Sequence, residues 1–199
     1  MTIGWAFVLG LGLGLRHATD ADHVVAIGTM LHREASALRA ARLAALWGLG
    51  HTMTFLVLGL LVVLAELRFP PAFDRMAEGL VAMMLVALGA WTIVRTLRPG
   101  IARKLSWRPL AVGVVHGLAG SAAVALLALA TIPTRAGALA YLALFGVGTV
   151  AGMVILTVVL AWPLGWSQRR YGQVPRGLTV AVSLASVAFG VVVGLRALG

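Results

Sequence analysis

The sequence predicts an all-α integral membrane protein, a single domain of six transmembrane helices arranged as an inverted 3+3 repeat. Three observations carry that reading. Of the 199 residues, 61% are hydrophobic and 11% charged, and the mean hydropathy is +1.00. Soluble domains hold about 45–50% apolar and about 25% charged residues. The apolar residues fall into runs long enough to cross a bilayer, which takes about 20 residues in a helix. The two halves also share motifs at an offset of 98–99 residues, as Leu46/Leu144 and Gly14/Gly113 show. Such a composition excludes disorder. With no cysteine, a disulfide framework, a thiolate metal site and a cysteine nucleophile are excluded too.

The first span covers about 2–31 and is interrupted by Arg16-His17-Ala18-Thr19-Asp20-Ala21-Asp22-His23. The second covers 43–65, the third 76–94 and the fourth 110–132. The fifth runs over 137–162, ending before Pro163, and the sixth over 178–198. No period-2 alternation runs through these segments, so helices are expected and a β-barrel is not. The start, from Met1 to Phe7, has no basic region, and we expect no cleavable signal peptide. The expected organisation is a first three-helix repeat (1–94), a basic cytoplasmic loop (95–109) and a second three-helix repeat (110–199).

The net charge of +10 could suggest a nucleic-acid partner, but the basic residues concentrate in short loops between apolar runs. That pattern marks membrane topology, and no nucleic-acid partner is expected. One set of loops holds Arg33, Arg39, Arg42, Arg95, Arg98, Arg103, Lys104, Arg108, Arg169, Arg170 and Arg176. The opposite set holds only Arg68, Arg75, Arg135 and Arg196, with Glu66, Asp74 and Glu78 nearby. The positive-inside rule therefore places the first, third and fifth loops in the cytoplasm and both termini outside, in a multi-pass protein of the cell membrane.

The repeat pairs Gly14-Leu15-Arg16-His17-Ala18 with Gly113-Val114-Val115-His116-Gly117, and Leu46-Trp47-Gly48-Leu49-Gly50-His51 with Leu144-Phe145-Gly146-Val147-Gly148-Thr149. Gly79-Leu80 pairs with Gly177-Leu178, and Leu97-Arg98 with Leu195-Arg196. Three spans per half is an odd number, so the halves are expected upside down to one another. Secondary transporters are built this way, with the substrate site near the midplane between the repeats. Small-xxx-small pairs such as Gly10/Gly14, Gly113/Gly117, Gly148/Gly152 and Gly190/Gly194 argue for close helix packing.

The polar interruption of the first span is the candidate site. An ionised side chain at a helix centre costs about 2.5–3.5 kcal/mol on insertion, so Arg16, Asp20 and Asp22 together cost about 8–10 kcal/mol. Ionisable residues at that depth are functional candidates. On a regular helix His17, Asp20 and His23 share a stripe of about 120°. Two imidazoles and a carboxylate form a ligand set for a borderline divalent transition ion. Asp22 falls opposite, and reaches the same centre only if the backbone unwinds, which Gly10, Gly12 and Gly14 favour. Otherwise it pairs with Arg16 or orients a histidine. His51 and His116 lie inside apolar spans at repeat-related cores and join the metal candidates. Ser121, opposite Asp22 in the repeat, and Thr149, opposite His51, are supporting candidates; His32 is expected at a solvated membrane edge.

Leu15-Arg16-His17-Ala18-Thr19-Asp20-Ala21-Asp22-His23-Val24-Val25-Ala26-Ile27 resembles the signature helix of the nickel/cobalt permease family, a His, four residues, then Asp-His. Gly48-Leu49-Gly50-His51-Thr52 resembles that family's second, Gly-His-containing motif. Val115-His116-Gly117-Leu118-Ala119-Gly120-Ser121-Ala122 is more similar to a short branch related to urease-accessory membrane proteins. These motifs cover about 35 residues, while the resemblance in layout spans the chain. It implies His17, Asp22 and His23 as essential metal-handling residues, with His51 and His116 as helpers. The chain departs from the eight-span members in having six spans, and His116-Gly117-Leu118 stands where a later acidic motif is expected.

The leading expectation is a permease for Ni²⁺ or Co²⁺ uptake, with the ion as transported substrate, the lipid bilayer as surroundings and no permanently bound cofactor. Proton competition for His17 and His23 should weaken binding towards acidic pH. Export of metal or a small solute is a second reading. A non-transporting partner in metalloenzyme maturation, or a homo-oligomer, is also left open. An intramembrane hydrolase is not expected, because neither a His-Glu-x-x-His motif nor a Gly-x-Ser-x-Gly elbow is present. No nucleotide-binding motif appears either.

Overall fold

The computed structural model describes residues 3–31, 36–98, 107–118, 129, 131–171 and 176–199. Seven helices lie among them: α1 (Ile3–His17), α2 (Ala21–Leu31), α3 (Ala37–Ala65), α4 (Pro71–Leu97), α5 (Arg108–His116), α6 (Arg135–Tyr171) and α7 (Arg176–Leu198). Four are long and apolar enough to cross a bilayer: α3, α4, α6 as far as Pro163, and α7. The chain is a multi-pass helical membrane protein. Large side chains such as Met53, Val57, Leu64, Met83, Val159 and Leu195 stand exposed around the bundle. With lipid as solvent, these are the residues expected to face outward.

Local chemistry sets the helix ends. Glu66 closes α3 in the left-handed region (φ 54°), and Leu67 donates its N–H back to the Leu61 carbonyl at 3.3 Å. Pro71 then opens α4 as its first residue, where a missing N–H costs nothing. The expected fifth span stopped before Pro163, but α6 continues through it to Tyr171. A proline removes one helical hydrogen bond, a loss that membrane helices tolerate. Arg135, opening α6, donates to Glu66 at the end of α3 at 3.1 Å, so these two termini share one end of the bundle.

The expected spans map unevenly onto the helices. The first is divided between α1 and α2, while the second, third, fifth and sixth fall on α3, α4, α6 and α7. Of the fourth, α5 and residues 117–118 are described; most of the rest, including Ser121, lies outside the described residues, as does His32.

Packing follows the glycines. α1 lies along α6, α3 along both α5 and α6, and α4 along α7. A Cβ on Gly14 would strike the Phe145 carbonyl oxygen, and one on Gly113 the Trp47 carbonyl oxygen. Likewise a Cβ on Gly148 would meet the Leu11 carbonyl oxygen, and one on Gly50 the Leu110 carbonyl oxygen. Lipid tails are as apolar as leucine, so contact between backbones replaces the hydrophobic effect as the cohesive force. The α1–α6 and α5–α3 contacts thus use the same positions at the 98–99-residue offset.

Candidate metal centre

The site is built on a break in the first span. After His17 the helix closes in tight turns: Thr19 and Asp20 donate their backbone N–H groups to the carbonyls of Arg16 (2.9 Å) and His17 (3.1 Å). The Thr19 hydroxyl also donates to the Arg16 carbonyl, at 2.6 Å. The chain restarts as α2 with the Asp20 carbonyl accepting from the Val24 N–H (3.1 Å) and Asp22 in the first turn, where the helix dipole favours an anion. α5 ends similarly, with His116 as its last helical residue. Two helix C-termini, the ends that favour cations, therefore each carry a histidine.

Four histidines and one aspartate converge here from α1, α2, α3 and α5. His23 and His116 are 0% exposed, His51 1% and His17 5%. The ring of His23 sits 4.6 Å from that of His17, 5.1 Å from His51 and 4.5 Å from His116, centroid to centroid. Nε2 of His17 faces Nε2 of His51 at 3.0 Å. Asp22 bridges two rings: Oδ1 accepts from His23 Nδ1 at 3.2 Å and from the His23 backbone N–H at 3.0 Å, and Oδ2 accepts from His116 Nε2 at 3.0 Å.

The two aspartates divide their work. Read as one continuous helix, the sequence put Asp20 on the ligand stripe and Asp22 opposite. The break at residues 18–20 reverses this. Asp22, with 16% of its side chain exposed, lies inside the cluster, whereas Asp20, at 41%, accepts from His17 Nδ1 at 2.9 Å from the rim. Asp20 thereby orients a histidine, the kind of contact that fixes a ligand's tautomer. Arg16 is exposed, and Asp22 engages the histidines instead. Thr149 is fully buried, but its hydroxyl donates to the Phe145 carbonyl of its own helix at 2.8 Å.

Two aromatic residues complete the walls. Phe145 lies 5.4 Å from the His17 ring, and Trp47 lies 5.3 Å from His23 and 5.6 Å from His116. Phe145 belongs to an apolar cluster with Phe55, Tyr141 and Leu142, and Trp47 to another with Ile27, Leu31 and Met153. Neither was singled out from sequence as a site residue, although the repeat alignment pairs them. That pairing was the available signal.

This polar group in an apolar surround is chemically unfinished. Among the described residues, His23 Nε2, His51 Nδ1 and His116 Nδ1 are buried with no hydrogen-bond partner. A carboxylate accepts only from N–H, so neutral His17 and His23 carry their protons on Nδ1, towards aspartate. Their Nε2 lone pairs turn inward. Nitrogen lone pairs and one carboxylate in close array suit a borderline divalent transition cation. Two triads have ligand atoms within 4.8 Å of one another: His17/His23/His51 and Asp22/His23/His116.

Known proteins resemble the chain over nearly its whole length. No protein-family model matches the chain, and no solved structure matches it. The chain is 30% identical to the urease accessory protein UreH of Bacillus sp. (strain TB-90), over 92% of its own length and 87% of the relative's. It is 27% and 26% identical to the chloroplast proteins FOR GROWTH AND FERTILITY 2 and 1 of Arabidopsis thaliana. It spans a little over half the length of each plant protein, 56% and 58%.

Proposed function

The chain belongs to the family of the urease accessory protein UreH, and from that premise we propose that it is a permease for divalent transition-metal ions, with Ni²⁺ or Co²⁺ as substrate. The observation that carries the proposal is the convergence of four buried histidines and Asp22 between α1, α2, α3 and α5. A divalent ion loses much of its hydration on entering a membrane, and imidazole and carboxylate ligands at the helix termini offer replacements. Single membrane histidines serve well as helix–helix hydrogen-bonders. Four in contact, with three ring nitrogens unpartnered, are poor glue.

The proposed architecture has six spans in two inverted three-helix repeats, with the basic loops cytoplasmic and both termini outside the cell membrane. The repeat reading is supported by the equivalent glycine contacts, Gly14–Phe145 with Gly113–Trp47 and Gly148–Leu11 with Gly50–Leu110. His17, Asp22, His23, His51 and His116 contact the ion, and Asp20 positions His17. No permanently bound cofactor is invoked.

Uptake is the proposed direction, tested by metal accumulation in cells carrying wild-type protein, His17→Ala or His23→Ala at equal membrane abundance. Both variants should lose accumulation. Equal accumulation by wild type and variants would refute the reading, and lower cell metal with the wild type would indicate export. A second reading is favoured by the bacterial relative's name: a membrane partner in metalloenzyme maturation that moves no metal itself. Metal flux into liposomes holding the purified chain alone separates the two.

A further inference from the structure

We propose that the cluster holds its cation in two alternative positions that share His23, one lined by His17 and His51 and the other by Asp22 and His116, so that the ion crosses the site by exchanging ligands around a single imidazole. This inference rests on the permease reading and concerns how that same site works.

The geometry separates the ligands into these two sets. Metal–nitrogen and metal–oxygen bonds of about 2.0–2.2 Å require the donor atoms around one ion to lie within about 4.4 Å of each other. Two triads approach that limit, with ligand atoms within 4.8 Å of one another; together they contain all five candidate ligands, and His23 is the member they have in common. The rings of His51 and His116, which fall in different triads, are 5.9 Å apart, the widest separation among the measured imidazole pairs.

Hydrogen bonding draws the same boundary. His17 and His51 face one another through their Nε2 atoms at 3.0 Å, while Asp22 ties His23 and His116 together at 3.2 and 3.0 Å. Among the described residues, His23 Nδ1 rests on Asp22 and Nε2 is buried without a hydrogen-bond partner, which leaves one nitrogen for each triad. With the Nδ1 proton on Asp22, Nε2 is the atom left for the imidazole triad. Once the ion leaves that triad, water relays the His23 proton from Nδ1 to Nε2 and the His116 proton from Nε2 to Nδ1, which frees one nitrogen on each ring and the carboxylate for the second position. Both rings stay neutral, so the exchange takes up and releases no net proton.

The two positions differ in charge. The first neutralises none of the cation's charge, and the second neutralises one unit through Asp22. Two dications sharing one imidazole would repel strongly in an apolar surround, so the site takes one ion at a time. Unequal ligand fields on either side of a shared ligand allow an ion to be held firmly enough to enter and loosely enough to leave.

The experiment uses the purified full-length chain in detergent, with Co²⁺ as the probe because its visible absorption reports the ligand field. Wild type should bind one Co²⁺ per chain. Asp22→Asn should still bind one, with the spectrum shifted to shorter wavelength as the imidazole set takes over. His51→Gln should also bind one, shifted to longer wavelength as carboxylate enters. His23→Ala should lose binding at both positions. His116→Gln and His17→Gln repeat the two arms should either first variant fail to give a monodisperse helical protein. Loss of binding in both the Asp22 and the His51 arms, with wild type binding, would show one indivisible site and overturn the two-position inference while leaving the permease reading intact. No Co²⁺ bound by wild type would instead overturn the permease reading itself.

Discussion

α1 and α5 both end in a histidine, and the two ends are built alike but partnered differently. Gly14 lies three residues before His17 and presses on the Phe145 carbonyl; Gly113 lies three residues before His116 and presses on the Trp47 carbonyl. The rings of those same two aromatic residues then lie 5.4 and 5.6 Å from His17 and His116. The nitrogens tell another story. His17 is held by Asp20 of its own segment and faces His51, whereas His116 is held by Asp22, which comes from the broken first span. Opposite His51 in the proposed repeat stands Thr149, whose hydroxyl is turned to its own helix. The backbone framework is shared between the two ends, while both carboxylates come from one of them. A framework of close backbone contacts tolerates little change at its glycines, but the residues it presents are free to diverge.

The largest expected effect tests that divergence directly. His51→Thr gives α3 the residue that α6 carries at the equivalent place, and should abolish metal accumulation in cells while leaving membrane abundance near wild type. The reason is that it removes the only partner of His17 Nε2 on α3. Accumulation at the wild-type level would mean that the two ends differ in residue type but not in function.

Next in size is a test of the likeness. Gly14→Ala and Gly113→Ala each drive a Cβ into a backbone carbonyl that cannot swing aside. Each should destabilise the bundle by about 1–3 kcal/mol, the usual cost of forcing extra carbon into packed structure. Thermal unfolding in detergent should show comparable losses for both. A Gly113 variant as stable as wild type would break the equivalence of α1 and α5.

Much of this was legible in the sequence, for a physical reason. Apolar runs must match bilayer thickness, and ionisable residues inside them are too costly to be incidental. That logic matches the four long apolar helices and the convergence of His17, His23, His51 and His116. The choice between Asp20 and Asp22 stayed open, because it depends on three residues of broken helix. A regular 100° step puts Asp20 on the stripe, and unwinding brings Asp22 to the centre, which is the arrangement found. Trp47 and Phe145 escaped notice as site walls because their importance lies in which ring each meets across a helix interface. Pro163 marks the end of the apolar span, as the hydropathy implies, while the helix itself runs on to Tyr171.

A smaller effect is expected at Asp20. Asp20→Asn keeps the side chain's size and one acceptor but removes the charge that holds His17 Nδ1–H. Losing such an outer partner typically lowers metal affinity about 10–100-fold. Co²⁺ titration of the purified variant should show that weakening, with the stoichiometry unchanged at one per chain. Complete loss of binding would place Asp20 in direct contact with the ion and restore the symmetric-stripe arrangement that the break at residues 18–20 argues against.

The smallest effect belongs to Thr149→Val. The side chain is fully buried, and its hydroxyl donates to the Phe145 carbonyl four residues back on the same helix. Valine keeps the volume and the branching and deletes only that hydrogen bond. Polar contacts within membrane bundles are worth about 0.6 kcal/mol on average. The variant should therefore unfold within about 1 kcal/mol of wild type and accumulate metal normally. Unimpaired Thr149→Val beside inactive His51→Thr would show that the repeat-equivalent positions share a place in the framework and nothing else. A Thr149→Val protein that folds but accumulates no metal would mean that its hydroxyl turns towards the ion during passage, and the second half would then supply a ligand besides His116.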